Sequence, residues 1–568
     1  MQRIFNDHIL RNTQPLTGQW KFAVDPEDQG LVQKWYDGLK ESRLVNVPSV
    51  WNTQLDLLEY EGAAWYEKEF YSQGGCLRFC FEGIMTEADV WLDSVHLGYH
   101  YGGFCQFDFI ARDIQPGNHK LTVRVDNRFN AQSIPAAKVD WYHYGGITRN
   151  VSVETLKGLC VLNNRLEYTL NDDRTAADCR FVLELYNAEA EAVCDDVTAS
   201  LDGVCVYKDK VSLESAAYRE LTSPLFTVKN IRLWDPAQTA LYPIAIRTAT
   251  DDLFDRTGFR AIEVIDQKIH INGKPFEIRG VNRHEEHPDW GMAFPQGLMY
   301  RDLDIIQDLG CNSLRGSHYP NSQVFVDMLD DRGIPFWSEV PFWGHGYTNE
   351  TAGDPVVVER GLQMHKEMIK YYYNHPCIII WGMHNEMPTG EPAMLKMTKL
   401  YYPYLKENGG NRLVTYATDK PLVDICLEYC DIICLNRYAG WYYKDRNGWP
   451  EEMEAFRQRR KELGLEHKPV IYSEFGGAAI YGHHTFDDLR GTEEYQATML
   501  DKALRAFHAD PMVAGFYIWQ FCDIRTCRQM GLDRARSYNN KGILNEYRKP
   551  KLAYYIVKKA NSEFESEE

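Results

Sequence analysis

The stretch Asn374-His375-Pro376-Cys377-Ile378-Ile379-Ile380-Trp381-Gly382-Met383-His384-Asn385-Glu386 constrains the fold more than any other part of the chain. Pro376 interrupts what precedes it, because the residue before a proline is pushed out of the helical region. The run Cys377-Ile378-Ile379-Ile380 then offers no polar side chain. A strand that faces water on one side alternates. One that does not is buried on both sides, as in parallel sheets covered by helices. The run ends on Asn385-Glu386, and in a barrel of parallel strands the carboxyl ends of the strands carry the chemistry. A single acid there reads equally well as the ion-pair partner of a neighbouring Arg or Lys, so a second acid is needed to decide.

From about residue 268 the same rhythm repeats. Strand-like runs at 276–281, 313–315, 334–337, 377–381, 412–416, 432–435, 470–472 and 513–519 alternate with helical ones. The helical runs cover 299–309, 324–331, 356–373, 393–405, a short piece near 421, a segment opening at Pro450-Glu451-Glu452, and 493–507. Pro450 at a first helical position with acids behind it is a good helix start. Eight such units predict a (β/α)8 TIM barrel over 263–568. Upstream, Thr17-Gly18-Gln19-Trp20-Lys21-Phe22 and Lys120-Leu121-Thr122-Val123-Arg124-Val125 alternate between turn clusters, which predicts a jelly-roll-like β-sandwich over 1–155. Shorter strands such as Arg180-Phe181-Val182-Leu183-Glu184-Leu185 predict a second, immunoglobulin-like β-sandwich over 156–262.

Bulk properties exclude several functions. A net charge of −19 argues against nucleic acid or an anionic membrane as partner, since both need a basic face. Residues 1–8 lack the apolar run of a signal peptide and no segment is long enough to span a bilayer, so a cytoplasmic location is expected. The 14 Cys are scattered and are read as free thiols. Cys426, Cys430 and Cys434 run through an apolar stretch without a CxxC pair, and His284-Glu285-Glu286-His287 lacks the spacing of a zinc-protease helix. Neither metal nor cofactor is implied. There is no Gly-x-Ser-x-Gly elbow and no Gly-x-Gly-x-x-Gly loop, which removes the usual esterase and dehydrogenase readings.

The second acid comes in Val470-Ile471-Tyr472-Ser473-Glu474-Phe475-Gly476. Strands four and seven face each other across an eight-stranded ring, so Glu386 and Glu474 are expected to converge in its mouth. Two carboxyls about 5 Å apart cannot both ionise cheaply, and a proton shared between them is what a retaining glycosidase needs. Glu285, Glu339 and Asp523 also end strands. Glu339, in Trp337-Ser338-Glu339, imitates Ser473-Glu474 and ranks third.

The Asn-His-Pro-x-Ile-Ile-x-Trp-x-x-x-Asn-Glu stretch resembles the acid/base signature of glycoside hydrolase family 2, and Tyr472-Ser473-Glu474-Phe475-Gly476 resembles that family's nucleophile segment. Gly280-Val281-Asn282-Arg283-His284-Glu285 and Arg315-Gly316-Ser317-His318-Tyr319-Pro320 resemble its early barrel strands. The resemblance runs over nearly the whole chain. It implies Glu386 as acid/base, Glu474 as nucleophile and Asn385 on the sugar's 2-hydroxyl, with His318, Asn436 and Trp519 lining the sugar site. It also implies a homo-oligomer, a tetramer or dimer, that needs no cofactor.

Other segments resemble the family's β-glucuronidases. In Asn436-Arg437-Tyr438-Ala439-Gly440-Trp441-Tyr442, Tyr438 is implied beside the nucleophile and Tyr442 at the uronate carboxylate. Tyr538-Asn539-Asn540-Lys541-Gly542 resembles the Asn-x-Lys grip on that carboxylate, although Asn-Lys-Gly alone is ordinary turn material. Asp140, in Asp140-Trp141-Tyr142-His143-Tyr144, matches the acid on the 4-hydroxyl. The pattern departs at His384 and Met387 around the Asn-Glu pair, at Gln520, at Ala535 where an Arg is expected between Arg534 and Arg536, and in the short segment 342–354. The expectation is a retaining exo-β-glucuronidase acting on small-molecule or oligosaccharide β-glucuronides. A β-galacturonidase on the same scaffold and a non-catalytic carbohydrate-binding protein are the alternatives.

Overall fold

A computed structural model describes residues 8–567. Met1–Asp7, which hold most of the stretch searched for an export signal, lie outside the described residues. No helix among the described residues is long and apolar enough to cross a membrane.

The chain folds as two β-sandwiches followed by a TIM barrel. In the first sandwich a four-stranded sheet (Asn12–Pro15, Val151–Leu156, Gly75–Phe81, Phe107–Ile114) faces a six-stranded one. Alternate side chains such as Trp20, Phe22, Leu121, Val123 and Val125 point inward and form one apolar cluster. The second sandwich also has two sheets, carrying Ala176–Asn187 and Val193–Leu201, around Phe181, Leu183, Val197 and Ile244. Its last strand ends at Thr257. Ile262, expected inside this domain, already packs with Ile269 and Ile271 under the barrel. Arg260 fixes the junction by donating to three barrel-floor carbonyls: Pro376 and Ile378, each at 2.6 Å, and Asn411 at 2.8 Å.

Eight parallel strands close the barrel in chain order: Ile278–Arg283, Ser313–Gly316, Phe336–Glu339, Ile378–Asn385, Leu413–Thr418, Ile433–Asn436, Val470–Glu474 and Val513–Ile518. The fourth is buried along its whole length, as its lack of alternation requires. The covering helices begin where their sequences say. Asp354 caps Pro355–Tyr372 by accepting from Val356 N at 2.8 Å, and Thr492 caps Glu493–His508 by accepting from Tyr495 N at 3.2 Å. The short helix expected near 421 does not form. Pro421 starts a chain of turns instead, and the Asp424 carboxylate takes the Cys426 backbone N–H and the hydroxyls of Thr389 and Tyr416. That side chain satisfies backbone that a helix would otherwise have to satisfy.

Two irregularities position the mouth. The ladder between strands four and five slips between Gly382 and Asn385, and that between six and seven slips between Leu435 and Asn436. A bulge of this kind re-aims the side chains that follow it. Glu386 comes directly after the first slip, with φ +50°, a conformation few non-glycine residues adopt. At the opposite end of the barrel, Asp327, Asp330 and His375 bring their ligand atoms within 4.8 Å of one another. Asp330 there accepts from the Cys377 N–H at 2.9 Å and lies 2.6 Å from His375 Nδ1, so the group clamps a helix to the start of strand four.

Candidate active site

The acids at the strand ends separate by what holds them. Glu285, after strand one, is 3.0 Å from Arg149 and accepts from Ser322 N. Asp523 is 2.7 Å from the Lys551 ammonium and accepts from Gly542 N. Both are structural ion pairs. Glu339 is fully buried against Arg315, 2.9 Å away, and His318, 2.7 Å away. Its work is to hold Arg315, whose guanidinium stacks on Trp337 and reaches onward to Glu474 Oε1 at 3.0 Å and Asn385 Oδ1 at 2.7 Å.

Glu386 and Glu474 are thereby joined in one network. Asn436 donates to Asn385 Oδ1 at 3.1 Å and to Glu386 Oε1 at 2.8 Å, while its own oxygen accepts from Ser473. Tyr438 donates its hydroxyl to Glu474 Oε2 at 2.7 Å. Burial, and then the charge of Glu386, push the Glu474 carboxyl up to about 8, against Arg315 and the Tyr438 hydrogen bond. Burial also raises Glu386, but His345 outweighs it: Nε2 lies 2.9 Å from Oε2, and the net effect holds Glu386 well below the usual carboxylate range. The charge of one carboxyl thus raises the other, and the pair holds a single proton between them rather than ionising together.

The remaining expected residues gather around this pair. Trp519 stacks on His318 at 5.1 Å, and Trp141, carried in by a loop of the first sandwich, lies 5.6 Å from the same ring. Tyr144, on that loop, donates to Glu286 at 2.7 Å and so pins it to the barrel. The loop also delivers Asp140, whose carboxylate receives Asn539 Nδ2 at 2.7 Å and lies 2.8 and 2.9 Å from Arg534. Asn539, expected to grip a ligand, is thus engaged by the protein, and its oxygen accepts from Lys541 N. Lys541 is 2% exposed, with its ammonium 5.1 Å from the Tyr442 ring and 5.7 Å from that of Tyr438. It forms no ion pair with a carboxylate among the described residues. Tyr442 sits at the rim, 60% exposed.

Several buried polar atoms in this mouth have no hydrogen-bond partner: Asn385 Nδ2, His318 Nε2 (3.7 Å from Glu474 Oε1), His284 Nε2, Arg534 Nε and both polar atoms of Gln520. Buried polar groups in proteins are mostly hydrogen-bonded, so unsatisfied ones gathered around the carboxyl pair suit a ligand rich in hydroxyls. Sequence reasoning gave no role to Arg315, Arg534 or His345. Arg315 stood inside a quoted motif and Arg534 beside the departure at Ala535. His345, in Trp343-Gly344-His345-Gly346, had no local signal beyond lying after a barrel strand.

Comparison with known proteins agrees with this architecture. A β-galacturonidase from Eisenbergiella tayi, solved bound to galacturonate, is 32% identical over 99% of both chains with a TM-score of 0.92. A Ruminococcus gnavus β-glucuronidase is 26% identical over 97% of each chain with a TM-score of 0.86. A β-glucuronidase from Paenibacillus borealis is 26% identical over 97% of each chain. The model described as "Glycosyl hydrolases family 2, sugar binding domain" matches residues 13–157, and "Glycosyl hydrolases family 2, TIM barrel domain" matches residues 262–566. With the barrel, both sandwiches and a pair of opposed carboxyls in place, the chain belongs to glycoside hydrolase family 2.

Proposed function

We propose that the chain is a retaining exo-hexuronidase that cleaves β-D-galacturonides, with β-D-glucuronides as the second reading. The observation that carries it is Lys541. A buried ammonium without a carboxylate partner is costly, and an anionic ligand is what relieves that cost. A protein of charge −19 repels an anionic sugar at long range, so a local cation has to hold it.

The order of the two sugars reverses the sequence expectation. Galacturonate and glucuronate differ only in the direction of the 4-hydroxyl, so the carboxylate-binding motif serves both. Discrimination falls to the group at Asp140, and here that carboxylate is shared between Arg534 and Asn539. The greater likeness to the galacturonidase supports the same order. Family membership together with both carboxyls disfavours the binding-protein alternative.

The chemistry follows from the network. Glu474 attacks the anomeric carbon while Glu386 protonates the departing oxygen, and Arg315 and Tyr438 steady the carboxylate charge. Once Glu474 is esterified its charge is gone. Glu386, now anionic, takes a proton from water as the water oxygen attacks the same carbon and the ester bond breaks. Two inversions retain configuration. The reaction needs Glu474 as the carboxylate and Glu386 as the acid, so activity falls both when Glu386 loses its proton and when Glu474 gains one, and the pH profile is bell-shaped.

The test is turnover of nitrophenyl β-galacturonide, β-glucuronide and β-galactoside side by side. The galacturonide should lead and the galactoside should trail both uronides. A galactoside cleaved as well as either uronide would remove the case for an anionic substrate.

A further inference from the structure

His345 is the imidazole in direct contact with the acid that must change protonation state twice per turnover. Its Nε2 lies 2.9 Å from Glu386 Oε2 and 3.8 Å from Asp419 Oδ2. The ring leans on Trp343, centroids 4.6 Å apart, which fixes its orientation. Its side chain is 46% exposed, so it can exchange a proton with water directly, whereas Glu386 is buried. The groups facing this pair come from several elements. Asp419 and Lys420 follow strand five, with the Lys420 ammonium 3.7 Å from Asp419, and Asn436 lies on strand six. His318 follows strand two, its imidazole held well below the usual range by burial and then by Arg315, while Glu474 ends strand seven.

We propose that His345 is the proton partner of Glu386, sharing one proton with it across the 2.9 Å contact, giving it up for aglycone departure and taking back the proton removed from water. The inference rests on the roles proposed above for Glu386 and Glu474. In the first half-reaction the pair is neutral imidazole and carboxylic acid. The carboxyl proton goes to the glycosidic oxygen, the bond from that oxygen to the anomeric carbon breaks, and the pair is left without its proton. In the second, water gives a proton to Glu386, its oxygen bonds to the anomeric carbon, and the proton settles on His345 Nε2. The structure agrees with this poise. Burial pulls the imidazole down, but the hydrogen bond and charge of Glu386, with the charge of Asp419, raise it overall. Burial and the charge of Glu386 push Asp419 up to about 6, so it adds little negative charge below that pH. His345 is a positioning residue that acts through Glu386.

Two variants of the full chain test this. In the glycosyl-enzyme Glu474 is esterified, which leaves Glu386, His345 and Asp419 as the titrating groups of this cluster. With a nitrophenyl glycoside, whose leaving group departs without help, kcat reports that second step. Removing the imidazolium lets burial raise Glu386, so its base form is lost at higher pH. H345Q should therefore move the acid limb of kcat up by at least one unit, a tenfold greater loss at the acid end than at the alkaline end. H345K keeps a cation but not a shareable proton. It should leave the limb low and lose at least tenfold more on an alkyl glycoside than on the nitrophenyl one. An unmoved limb in folded H345Q, judged by its melting temperature, or an H345K that treats both leaving groups as the wild type does, overturns the proposal. Should the wild type cleave only the neutral galactoside, the uronide reading fails and the same comparison is made on that substrate.

Discussion

Lys541→Met is the perturbation that speaks most directly to substrate class. Methionine keeps an apolar stem between Tyr438 and Tyr442 and removes only the charge. On the binding side, a charge-assisted hydrogen bond contributes about 1.5–3 kcal/mol. At about 1.4 kcal/mol per tenfold, kcat/KM for the uronide should fall about 10- to 150-fold. On the folding side the terms oppose each other. Two cation–π contacts at these distances are worth about 0.5–2 kcal/mol each, while removing an ammonium from water without a counterion costs several kcal/mol. The variant should therefore be at least as stable as the wild type. The assay is kcat/KM on nitrophenyl β-galacturonide and on the neutral β-galactoside, with a melting curve on the same preparation. An uronide-specific loss without a drop in melting temperature is the expected signature. An equal loss on both sugars, or a loss that tracks a lower melting temperature, would make Lys541 a structural residue and refute the reasoning.

The other predictions concern the carboxyls and their neighbours. Glu474→Gln should abolish turnover and raise stability. The folded carboxyl sits near 8, above its unfolded value, so the wild type loses stability as pH rises between the two, and the amide does not. Substantial residual activity, or a melting-temperature difference that does not grow across that window, would count against it. Glu386→Ala should cost about 10²- to 10⁴-fold on glycosides with poor leaving groups and much less on nitrophenyl glycosides; equal losses would remove its role as an acid. Arg534→Ala frees Asp140 from one of its two partners and should shift the galacturonide-to-glucuronide ratio of kcat/KM by about tenfold or more. An unchanged ratio would place the discrimination elsewhere.

What could be read from the chain alone was whatever repeats locally. The barrel was legible because a strand buried on both faces, such as Cys377-Ile378-Ile379-Ile380, and a helix opened by Pro or acids leave short-range patterns. Glu386 and Glu474 were legible because a polar residue at the end of such a strand stands out. The piece near 421 was misread because Asp424 offers the backbone a side-chain partner that periodicity does not register. Pairing across the ring lay beyond the sequence. Glu285, Glu339 and Asp523 end strands as the two central acids do, and only in space are Glu285 and Asp523 seen tied to Arg149 and Lys551, and Glu339 to both Arg315 and His318. Arg534 meets Asp140 across 394 residues, and His345 meets Glu386 through a turn with no distinctive composition. Electrostatics depends on distance in space and on exclusion of water, and neither is encoded in neighbouring residues. The chain therefore announces a family 2 hydrolase with two carboxyls, while the coupling of those carboxyls to Arg315, Tyr438 and His345, and the meeting of Asp140 with Arg534 and Asn539, exist only in the folded barrel mouth with the sandwich loop against it.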